Sequence, residues 1–478
     1  MKEIEYGLSY DDVLLVPRKS GVYSRKDVDT GSMLTKKIKL NVPIASANMD
    51  TVTESSMAIA MAKLGGIGII HRFMDADREV EEVEKVKRFE AYMIHKPYTI
   101  GNGATIGEAK EIMFNTGVSG LLVVDEAGRL AGLVSKRDIR FHRNDADKIT
   151  SVMTPRERLI VGKPDITIDA ALGLLDKNRL EKLPLVDDSG LIKGLITSKD
   201  IDRFTTYSSA SKDGKGRLLV GAAIGVKGDY IERAARLVEA EVDVLVLDVA
   251  HGHSEMVINA IKKIKEDLGN VQLIAGNVAT KEGAEDLASA GADAVKVGIG
   301  PGAACTTRLV AGAGVPQLSA VMSCYEAASD SGIPIIADGG IRQSGDIVKA
   351  LAAGASTVMI GSLFAGTDET PGYSIIRNGT KYKSYRGMSS FSANMSKKHI
   401  DKMDLDNEEI YQIVPEGVES AVPYKGSINE IIFQLVGGLR SGMSYCGAEN
   451  MDELRGNARF VRLTQSGKKE SYGKLDYA

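Results

Sequence analysis

Short apolar runs alternate with amphipathic stretches between Gly216 and about Phe364. The apolar runs are Leu218–Gly221, Val242–Asp248, Gln272–Gly276, Ala294–Val297, Pro334–Asp338 and Thr357–Gly361. The amphipathic stretches between them include Tyr230–Ala240, Ser254–Leu268, Lys281–Ala290 and Gly345–Ala353. The short runs predict strands and the longer stretches predict helices. Their alternation is typical of βαβ units and a parallel sheet.

Polar or glycine residues close these apolar runs. They are Asp248, Gly276–Asn277, Gly298, Asp338–Gly340 and Gly361–Ser362. A barrel of parallel strands builds its active site at this end of its strands. An open, doubly wound sheet would show the same pattern for a few units. Because two further apolar runs, Pro43–Ser46 and Gly66–Ile70, lie upstream, we predict an α/β protein with a closed (β/α)8 TIM barrel.

The barrel pattern is interrupted between residues 96 and 204, where a sequence pattern occurs twice. Asp125 and Asp187, Gly132 and Gly194, and Asp138 and Asp200 are each 62 residues apart. A fixed spacing over several positions indicates an internal duplication. We therefore predict a barrel domain from residues 1–95 and 205–478, with an inserted pair of modules at 96–150 and 151–204.

The duplicated segment resembles a tandem pair of CBS domains. That resemblance implies a regulatory site for adenine or guanine nucleotides, contacted by Ser135, Asp138, Thr197 and Asp200. The alternative is a paired spacer that binds nothing. Since both copies keep a hydroxyl residue and an aspartate, we expect nucleotide regulation.

Composition and charge narrow the possible partners. The 478 residues are 43% hydrophobic, enough for the cores of two or three domains. The formal net charge is −4 and no block of lysine and arginine occurs, so we expect neither nucleic acid nor a membrane as a partner.

Cysteine usage and the chain termini predict a cellular compartment. The three cysteines, at positions 305, 324 and 446, have no metal-ligand spacing and suggest no disulfide framework. The amino-terminal residues have no signal-peptide pattern, and no apolar run approaches transmembrane length. We expect a cytoplasmic protein.

A glycine-rich turn after the run Ala294–Val297 carries Cys305. A thiol at a strand's carboxyl end, near free backbone N–H groups, is suited to act as a nucleophile. The alternative is a buried cysteine that packs as a small hydrophobic side chain. The neighbouring Thr306 and Thr307 and the glycines favour the nucleophile.

Two further glycine turns, Asp338–Gly340 and Gly361–Ser362, lie one strand apart. Loops after consecutive late strands of a barrel often bind phosphate through backbone N–H groups. An isolated turn of this kind would be read as a tight βα connection. Together with the cysteine loop on the same face, the two turns indicate a phosphorylated nucleoside as the ligand.

Six motifs now identify a resemblance that covers essentially the whole chain. They are Asp11–Pro17, Met49–Glu54, the cysteine loop Gly298–Arg308, Asp338–Ile341, Tyr385–Met388 and Gly437–Gly442. Their order is similar to that of the IMP dehydrogenase/GMP reductase family. The resemblance implies that Cys305 forms a covalent bond with C2 of the purine and that Thr307 and Glu416 form a proton relay.

The same resemblance implies the remaining site residues. The substrate would be bound by Met49, Asp338, Gly339, Gly340, Gly361, Ser362, Tyr385, Gly387, Met388, Ser389 and Glu416. The nicotinamide cofactor would be bound by Asp248, Asn277 and Gly298, and a potassium ion by the backbone carbonyls of Gly300, Gly302 and Cys305. It also implies a homotetramer that can pair into an octamer. Both branches usually have serine where this chain has Ala303, which removes one hydroxyl from the phosphate site.

The two branches of the family differ in whether water is activated. The dehydrogenase oxidises IMP to XMP with NAD, and the resemblance implies that an Arg-Tyr pair on a flap then hydrolyses its covalent intermediate. The matching segment of this chain is Ser389–Pro415, which we call the flap segment. It contains no arginine. Because losing a positioned base costs about 10²- to 10⁴-fold in rate, we expect a GMP reductase that uses NADPH.

Two other functions remain open. The flap segment has the length of a dehydrogenase flap, and Tyr385–Met388 has the dehydrogenase form, so IMP dehydrogenase with NAD is the first alternative. The second is a nucleotide-sensing protein without catalysis. The presence of Cys305, Thr307 and Glu416 argues against it.

Overall fold

The structure is a computed structural model that describes residues 4–89, 93–94, 97–198, 209–400 and 414–471. It divides into two compact units. The first consists of Met1–Phe89, Ser209–Gly214 and Leu218–Ala478, and the second of Glu90–Ser208 with Lys215–Arg217. The second unit thus occupies the region where the barrel pattern of the sequence is interrupted.

The described strands follow in chain order as β1 (Val13–Leu15), β2 (Ser32–Met33), β3 (Lys39–Leu40), β4 (Ile44–Ser46), β5 (Ile67–Ile70), β6 (Thr99–Gly101), β7 (Gly120–Val124), β8 (Leu130–Ser135), β9 (Thr154–Pro155), β10 (Lys182–Val186), β11 (Ile192–Thr197), β12 (Val220–Ile224), β13 (Val244–Asp248), β14 (Gln272–Val278), β15 (Ala294–Val297), β16 (Ile335–Asp338), β17 (Thr357–Ile360), β18 (Ser374–Arg377), β19 (Thr380–Arg386), β20 (Glu419–Pro423) and β21 (Phe460–Arg462).

The described α-helices are α1 (Ser55–Lys63), α2 (Ala76–Phe89), α3 (Ile106–Thr116), α4 (Lys136–Ile139), α5 (Ile168–Asn178), α6 (Tyr230–Glu239), α7 (Glu255–Leu268), α8 (Lys281–Ser289), α9 (Thr307–Val310), α10 (Gln317–Ser331), α11 (Ser344–Ala352), α12 (Phe391–Ile400), α13 (Ile428–Tyr445), α14 (Met451–Asn457) and α15 (Gln465–Glu470). None of the described helices is both long and apolar enough to cross a bilayer.

Eight parallel strands of the first unit close into a barrel in the order β12–β13–β14–β15–β16–β17–β4–β5. This confirms the predicted TIM barrel and excludes the open sheet. Closure depends on the two early strands, since β4 pairs with β17 on one side and with β5 on the other, and β5 pairs with β12.

The first strand after the interruption differs from its prediction. The apolar run suggested Leu218–Gly221, but β12 spans Val220–Ile224. Leu219 instead joins the core cluster that also contains Leu34 and Leu40. Its apolar character therefore reflects burial rather than strand pairing.

Aliphatic side chains fill the barrel. The buried cluster includes Ala45, Ile67, Ile69, Ala223, Val244, Val246, Ile274, Ala294, Ile336 and Met359. Full burial of a valine, leucine or isoleucine contributes about 1.5–3 kcal/mol, so this packing supports the rigid strand ends on which a site can be built.

Two matching halves form the second unit. In each half a helix precedes a pair of antiparallel strands: α3 precedes β7 and β8, and α5 precedes β10 and β11. The paired elements begin 62 residues apart, as β7 and β10 show. Both strand pairs have a register shift at the same place, between Val123 and Val124 and between Leu185 and Val186.

Candidate active site

Polar groups gather at the carboxyl end of the barrel. Asp248 and Asp338 are the last residues of β13 and β16. Asn277 lies near the end of β14, and Gly298 directly follows β15. Because parallel strands end at the same edge, these residues line one cleft with Cys305, and its volume is about 210 Å³.

Most of the predicted site residues lie in the wall of this cleft. They are Met49, Asp248, Asn277, Gly298, Gly300, Gly302, Cys305, Thr307, Asp338, Gly339, Tyr385, Gly387, Met388, Ser389 and Glu416. Gly340, Gly361 and Ser362 do not line the cleft directly. Gly361 borders the cleft, because a Cβ atom there would lie 2.8 Å from Met49 Sδ and 3.7 Å from Tyr385 Oη. Ala303 is exposed and also lies outside the wall.

A chain of hydrogen bonds starts at the cysteine. The Cys305 thiol donates to Thr307 Oγ1 at 3.2 Å. The Thr307 hydroxyl in turn donates to Glu416 Oε2 at 2.7 Å. This arrangement provides a path for a proton between the sulfur and the carboxylate, as nucleophilic catalysis by a thiol requires.

Backbone contacts fix both ends of that path. Thr306 N donates to Glu416 O at 2.8 Å, and Val418 N donates to Ala304 O at 3.0 Å. Cys305 and Gly417 also form an antiparallel bridge. The cysteine loop and the strand that follows Glu416 are therefore joined, although the two segments are far apart in sequence.

The other two cysteines lie in different surroundings. Both are buried, and Cys305 is partly exposed. Burial raises the pKa of Cys324 to about 12, and burial also raises the pKa of Cys446. Their thiols stay protonated at neutral pH, so Cys305 is the cysteine placed to react.

Lys296 belongs to the site, although the sequence analysis did not predict it. It lies within β15, and its side chain is only 2% exposed. Its ammonium donates to Asp248 Oδ1 at 2.7 Å, to Asp338 Oδ2 at 2.8 Å and to Asn277 Oδ1. A lysine inside an otherwise apolar strand was the available signal, since lysine is rarely fully buried unless paired.

The charges of this network stabilise one another. Burial alone would raise the pKa of Asp248, but the charge and hydrogen bond of Lys296 outweigh it and lower that pKa. Burial alone would lower the pKa of Lys296, but Asp248 and Asp338 raise it well above its usual value. Both groups are therefore charged at neutral pH.

A glutamine and a glycine hold the ends of β15 and β16 close together. The Gln317 amide donates to Val297 O at 2.8 Å and to Asp338 O at 3.1 Å. Gly298 has φ +149°, and a Cβ atom there would lie 2.1 Å from Asp338 O. Only glycine fits this approach.

Tyr385 closes another side of the cleft. Burial and the negative charge of Asp338 raise the pKa of its phenol to about 12. Tyr385 as a whole residue is 7% exposed. It therefore remains a neutral hydrogen-bond donor in the physiological range, which suits an anionic ligand group.

A second cavity of about 410 Å³ adjoins the cleft. Both cavities are lined by Asp248, Val249, Ala250, Met388 and Ser389. The second extends to basic and aromatic residues that include Arg72, Lys227, Tyr230 and His251. The two cavities therefore share a wall that includes Asp248.

Metal-ligand side chains are not clustered here. Within the described ranges, no group of three or more histidine, cysteine, aspartate or glutamate residues is arranged to hold a metal ion. Gly300, Gly302 and Cys305 lie together in the cysteine loop, where Cys305 N donates to Gly302 O at 3.0 Å. A monovalent cation there would have to use backbone carbonyls.

The predicted regulatory residues belong to the second unit. Ser135 donates to Asp138 Oδ2 through its backbone N at 2.8 Å and through its hydroxyl at 2.6 Å, which caps α4. Thr197 ends β11, the counterpart of β8. Asp200 lies outside the described residues.

Comparison with known proteins identifies the family. A profile described as "IMP dehydrogenase / GMP reductase domain" matches residues 7–473. The chain belongs to the IMP dehydrogenase/GMP reductase family. Members of this family are oxidoreductases that act on purine nucleotides, which confirms the predicted resemblance and the predicted class of enzyme.

Relatives from both branches of the IMP dehydrogenase/GMP reductase family resemble this chain. It is 51% identical over 470 residues to inosine-5'-monophosphate dehydrogenase of Nitrosopumilus maritimus, covering 98% of each chain. It is 53% identical over 472 residues to the enzyme of that name from Aquifex aeolicus, covering 98% of this chain and 96% of the relative. It also resembles, at a TM-score of 0.92 and 46% identity, a cysteine-to-alanine variant of Trypanosoma brucei GMP reductase in complex with guanosine 5'-monophosphate, over 99% of this chain and 98% of the other.

Proposed function

We propose that this protein is a GMP reductase that converts GMP to IMP and ammonia with NADPH. One observation carries the choice of branch: the flap segment, Ser389–Pro415, contains no arginine. A dehydrogenase must activate water to release its product, and the resemblance assigns that step to an Arg-Tyr pair on this segment. A reductase has no such step, because a hydride takes the place of water.

The chain of Cys305, Thr307 and Glu416 supports covalent catalysis. The Cys305 thiol gives its proton through the Thr307 hydroxyl to Glu416, and the thiolate adds to C2 of the purine as the C2–N3 π pair moves onto N3. Glu416 then returns a proton to the amino group, and the pair on N3 re-forms the double bond to C2 as the C2–N bond to ammonia breaks. NADPH supplies a hydride to C2 when it is bound, and the carbon–sulfur bond breaks to release IMP and the thiolate. The sum is GMP, NADPH and one proton converted to IMP, NADP⁺ and ammonia.

The rest of the cleft suits a purine mononucleotide. Asp338 would accept hydrogen bonds from the ribose hydroxyls, and the neutral Tyr385 phenol would donate to the phosphate beside Gly339, Gly340, Gly361 and Ser362. Met49, Gly387, Met388 and Ser389 would contact the base. The likeness to a GMP reductase solved with GMP supports this assignment.

The adjoining cavity of about 410 Å³ suits the cofactor. Asp248, Asn277 and Gly298 would hold its nicotinamide end next to the nucleotide. The choice of NADPH follows from the reductase branch. A potassium ion at the carbonyls of Gly300, Gly302 and Cys305 is part of the same proposal.

IMP dehydrogenase with NAD is the second candidate. The specific observation in its favour is that relatives 51% and 53% identical to this chain bear that name. In this reaction Cys305 would form the same bond to C2, hydride would leave to NAD, and water would have to displace the sulfur to give XMP.

Two spectrophotometric assays separate the candidates. GMP with NADPH should lose the absorbance of the reduced cofactor, and IMP with NAD should show little gain. Turnover in the second mixture alone would overturn the reductase proposal. The variant Cys305→Ala should be inactive in both mixtures, which checks that any turnover comes from this site.

We further propose that the second unit is a CBS pair that binds regulatory nucleotides through Ser135, Asp138, Thr197 and Asp200. A T. brucei GMP reductase solved in complex with guanosine 5'-triphosphate resembles this chain at a TM-score of 0.81 and 42% identity. A homotetramer that can pair into an octamer belongs to the same proposal.

A further inference from the structure

Arg386 contacts two other segments, the distant loop after β4 and the nearby start of α12. It is the last residue of β19 and follows Tyr385, which lines the cleft. Because successive side chains of a strand point to opposite faces, Arg386 faces away from the cleft. It lines a separate groove with Asp50 and Glu419.

The first contact is an ion pair with the loop after β4. Arg386 Nε donates to Asp50 Oδ2 at 2.8 Å, and Nη2 donates to the same carboxylate. The side chains are 8% exposed for Asp50 and 25% exposed for Arg386. Arg386 N also donates to Thr51 Oγ1 at 3.2 Å. Charge-assisted hydrogen bonds with little exposure to water are among the stronger ones in proteins.

The second contact reaches the first helix of the flap segment. Arg386 Nη1 donates to Ser392 Oγ at 2.6 Å, and Ser392 lies in the first turn of α12. Ser392 N donates to Glu419 Oε1 at 2.9 Å, and Glu419 is the cross-strand partner of Arg386. The hydrogen bonds from Ser392 and the charge of Arg386 lower the pKa of Glu419, so it stays ionised at neutral pH.

These contacts lie beside the proposed contacts to the purine base. Met49 directly precedes Asp50, and Met388 lies two residues after Arg386. Asp50 N donates to Met388 Sδ at 3.4 Å. The Asp50–Arg386 ion pair therefore lies next to both methionines, and the Arg386–Ser392 hydrogen bond links it to the start of α12.

We propose that Arg386 is a positioning residue that couples the base-binding methionines to the start of the flap segment. It does so through Asp50 on one side and Ser392 on the other, without touching the substrate. The proposal rests on the proposed function, because it takes Met49 and Met388 as contacts to the base. It predicts that nucleotide binding orders residues 389–400 and that this response needs Arg386.

The test uses the full-length protein and four variants: Arg386→Met, Arg386→Lys, Asp50→Asn and the double variant Asp50→Asn with Arg386→Met. Exposed Arg377 of β18, on the same three-stranded sheet, supplies the control Arg377→Met. For each protein we would measure KM and kcat for the nucleotide, the melting temperature, and amide hydrogen exchange in residues 389–400 with and without the mononucleotide.

We expect Arg386→Met to raise KM for the nucleotide about 10- to 100-fold, the size of a lost charge-assisted contact. Nucleotide should protect residues 389–400 in the wild type and in Arg377→Met, but not in Arg386→Met. Lysine keeps the charge but lacks the planar group that binds two partners at once. Arg386→Lys should therefore have a KM and a nucleotide-dependent protection between those of the wild type and of Arg386→Met. The double variant should be no worse than Arg386→Met, since paired residues that act as a unit are not additive.

Two results would overturn the proposal. One is a lower melting temperature in Arg386→Met with KM and nucleotide-dependent protection unchanged, which would mean a purely structural ion pair. The other is additive effects of Asp50→Asn and Arg386→Met on KM. The variants are compared in whichever reaction the wild type catalyses, so turnover of IMP instead of GMP would refute the proposed function and leave this comparison intact.

Discussion

Thr307 stands between the sulfur and the carboxylate of the site, at 3.2 Å from Cys305 Sγ and 2.7 Å from Glu416 Oε2. Its hydroxyl accepts from one group and donates to the other, which no aliphatic side chain can do. In the proposed mechanism, the transfer of a proton between Cys305 and Glu416 therefore depends on this residue.

Replacing Thr307 by valine should lower kcat about 10²- to 10⁴-fold, the usual contribution of positioned acid–base groups. Valine has a similar shape, so the protein should fold and bind nucleotide. The neighbouring variant Thr306→Val keeps the backbone N–H that donates to Glu416 and should lose far less activity. Equal losses in the two variants, measured by steady-state kinetics, would argue against a relay through Thr307.

Lys296 neutralises two carboxylates, Asp248 and Asp338, whose side chains are each 22% exposed. Lys296→Met should lower the free energy of unfolding by at most about 3–5 kcal/mol, the cost of breaking a fully buried pair, because it leaves both charges uncompensated. Denaturant unfolding measures this loss. Adding Asp248→Asn to Lys296→Met should recover part of the stability, and a double variant less stable than the single one would contradict the shared role of the lysine.

The lowered pKa of Asp248 predicts a pH dependence of stability. The unfolded chain binds a proton at the ordinary aspartate pKa of 3.8 and the folded chain at a lower pH. The stabilisation from ionised Asp248 is therefore complete well above pH 3.8 and is lost as pH falls through the folded-state pKa. Asp248→Asn should reduce the slope of unfolding free energy against pH below about pH 5. The control Asp452→Asn, at a side chain that is 96% exposed, should leave the slope unchanged. Equal slopes for the wild type, Asp248→Asn and Asp452→Asn would refute the role of Asp248 in the pH dependence of stability.

At the scale of elements, the carboxyl ends of β15 and β16 approach so closely that the cysteine loop must begin with glycine. Gly298→Ala would place a methyl group against Asp338 O at 2.1 Å. The loop would have to move away from β16, and with it the sulfur of Cys305. The strand ends and the loop thus form one unit of structure.

We expect Gly298→Ala to cost about 3 kcal/mol of stability through strain and overpacking and to reduce turnover. Gly345→Ala is the matched control, because a Cβ atom there meets nothing within 4 Å and the residue lies within α11. It should gain about 0.5–1 kcal/mol, since alanine loses less backbone freedom in a helix than glycine. Thermal unfolding measures the change in stability of both variants. A Gly298→Ala variant as stable as the wild type would contradict the prediction and show that the loop adapts.

Apart from the bounds of β12, the sequence alone was sufficient to predict the barrel strands, because most combine an apolar run with a polar or glycine residue at its end. It could not predict the sheet of β18, β19 and β20, whose first strand, Ser374–Arg377, is exposed along its length and has no apolar pattern. The ion pairs were also out of reach. Arg386 and Asp50 are 336 residues apart, and the three partners of Lys296 come from three other strands.

At the scale of the whole molecule, the two units suggest a division between catalysis and regulation. If the second unit binds nucleotides as proposed, GTP or ATP should change turnover or the oligomeric size of the full-length protein. Steady-state kinetics and light scattering measure the two responses. Asp138→Ala removes the carboxylate that now holds Ser135 and should weaken the response; no response in the wild type would mean that the second unit is a spacer.

The pairing of β4 with β17 also constrains how the chain is made. During synthesis β4 and β5 leave the ribosome early and present apolar strand edges, but their partner β17 emerges only after the second unit and five other barrel strands. The second unit, whose strands pair with near neighbours in sequence, completes its sheets in the meantime. A polypeptide released before Thr357 cannot close its barrel, and its open edges make it prone to aggregate.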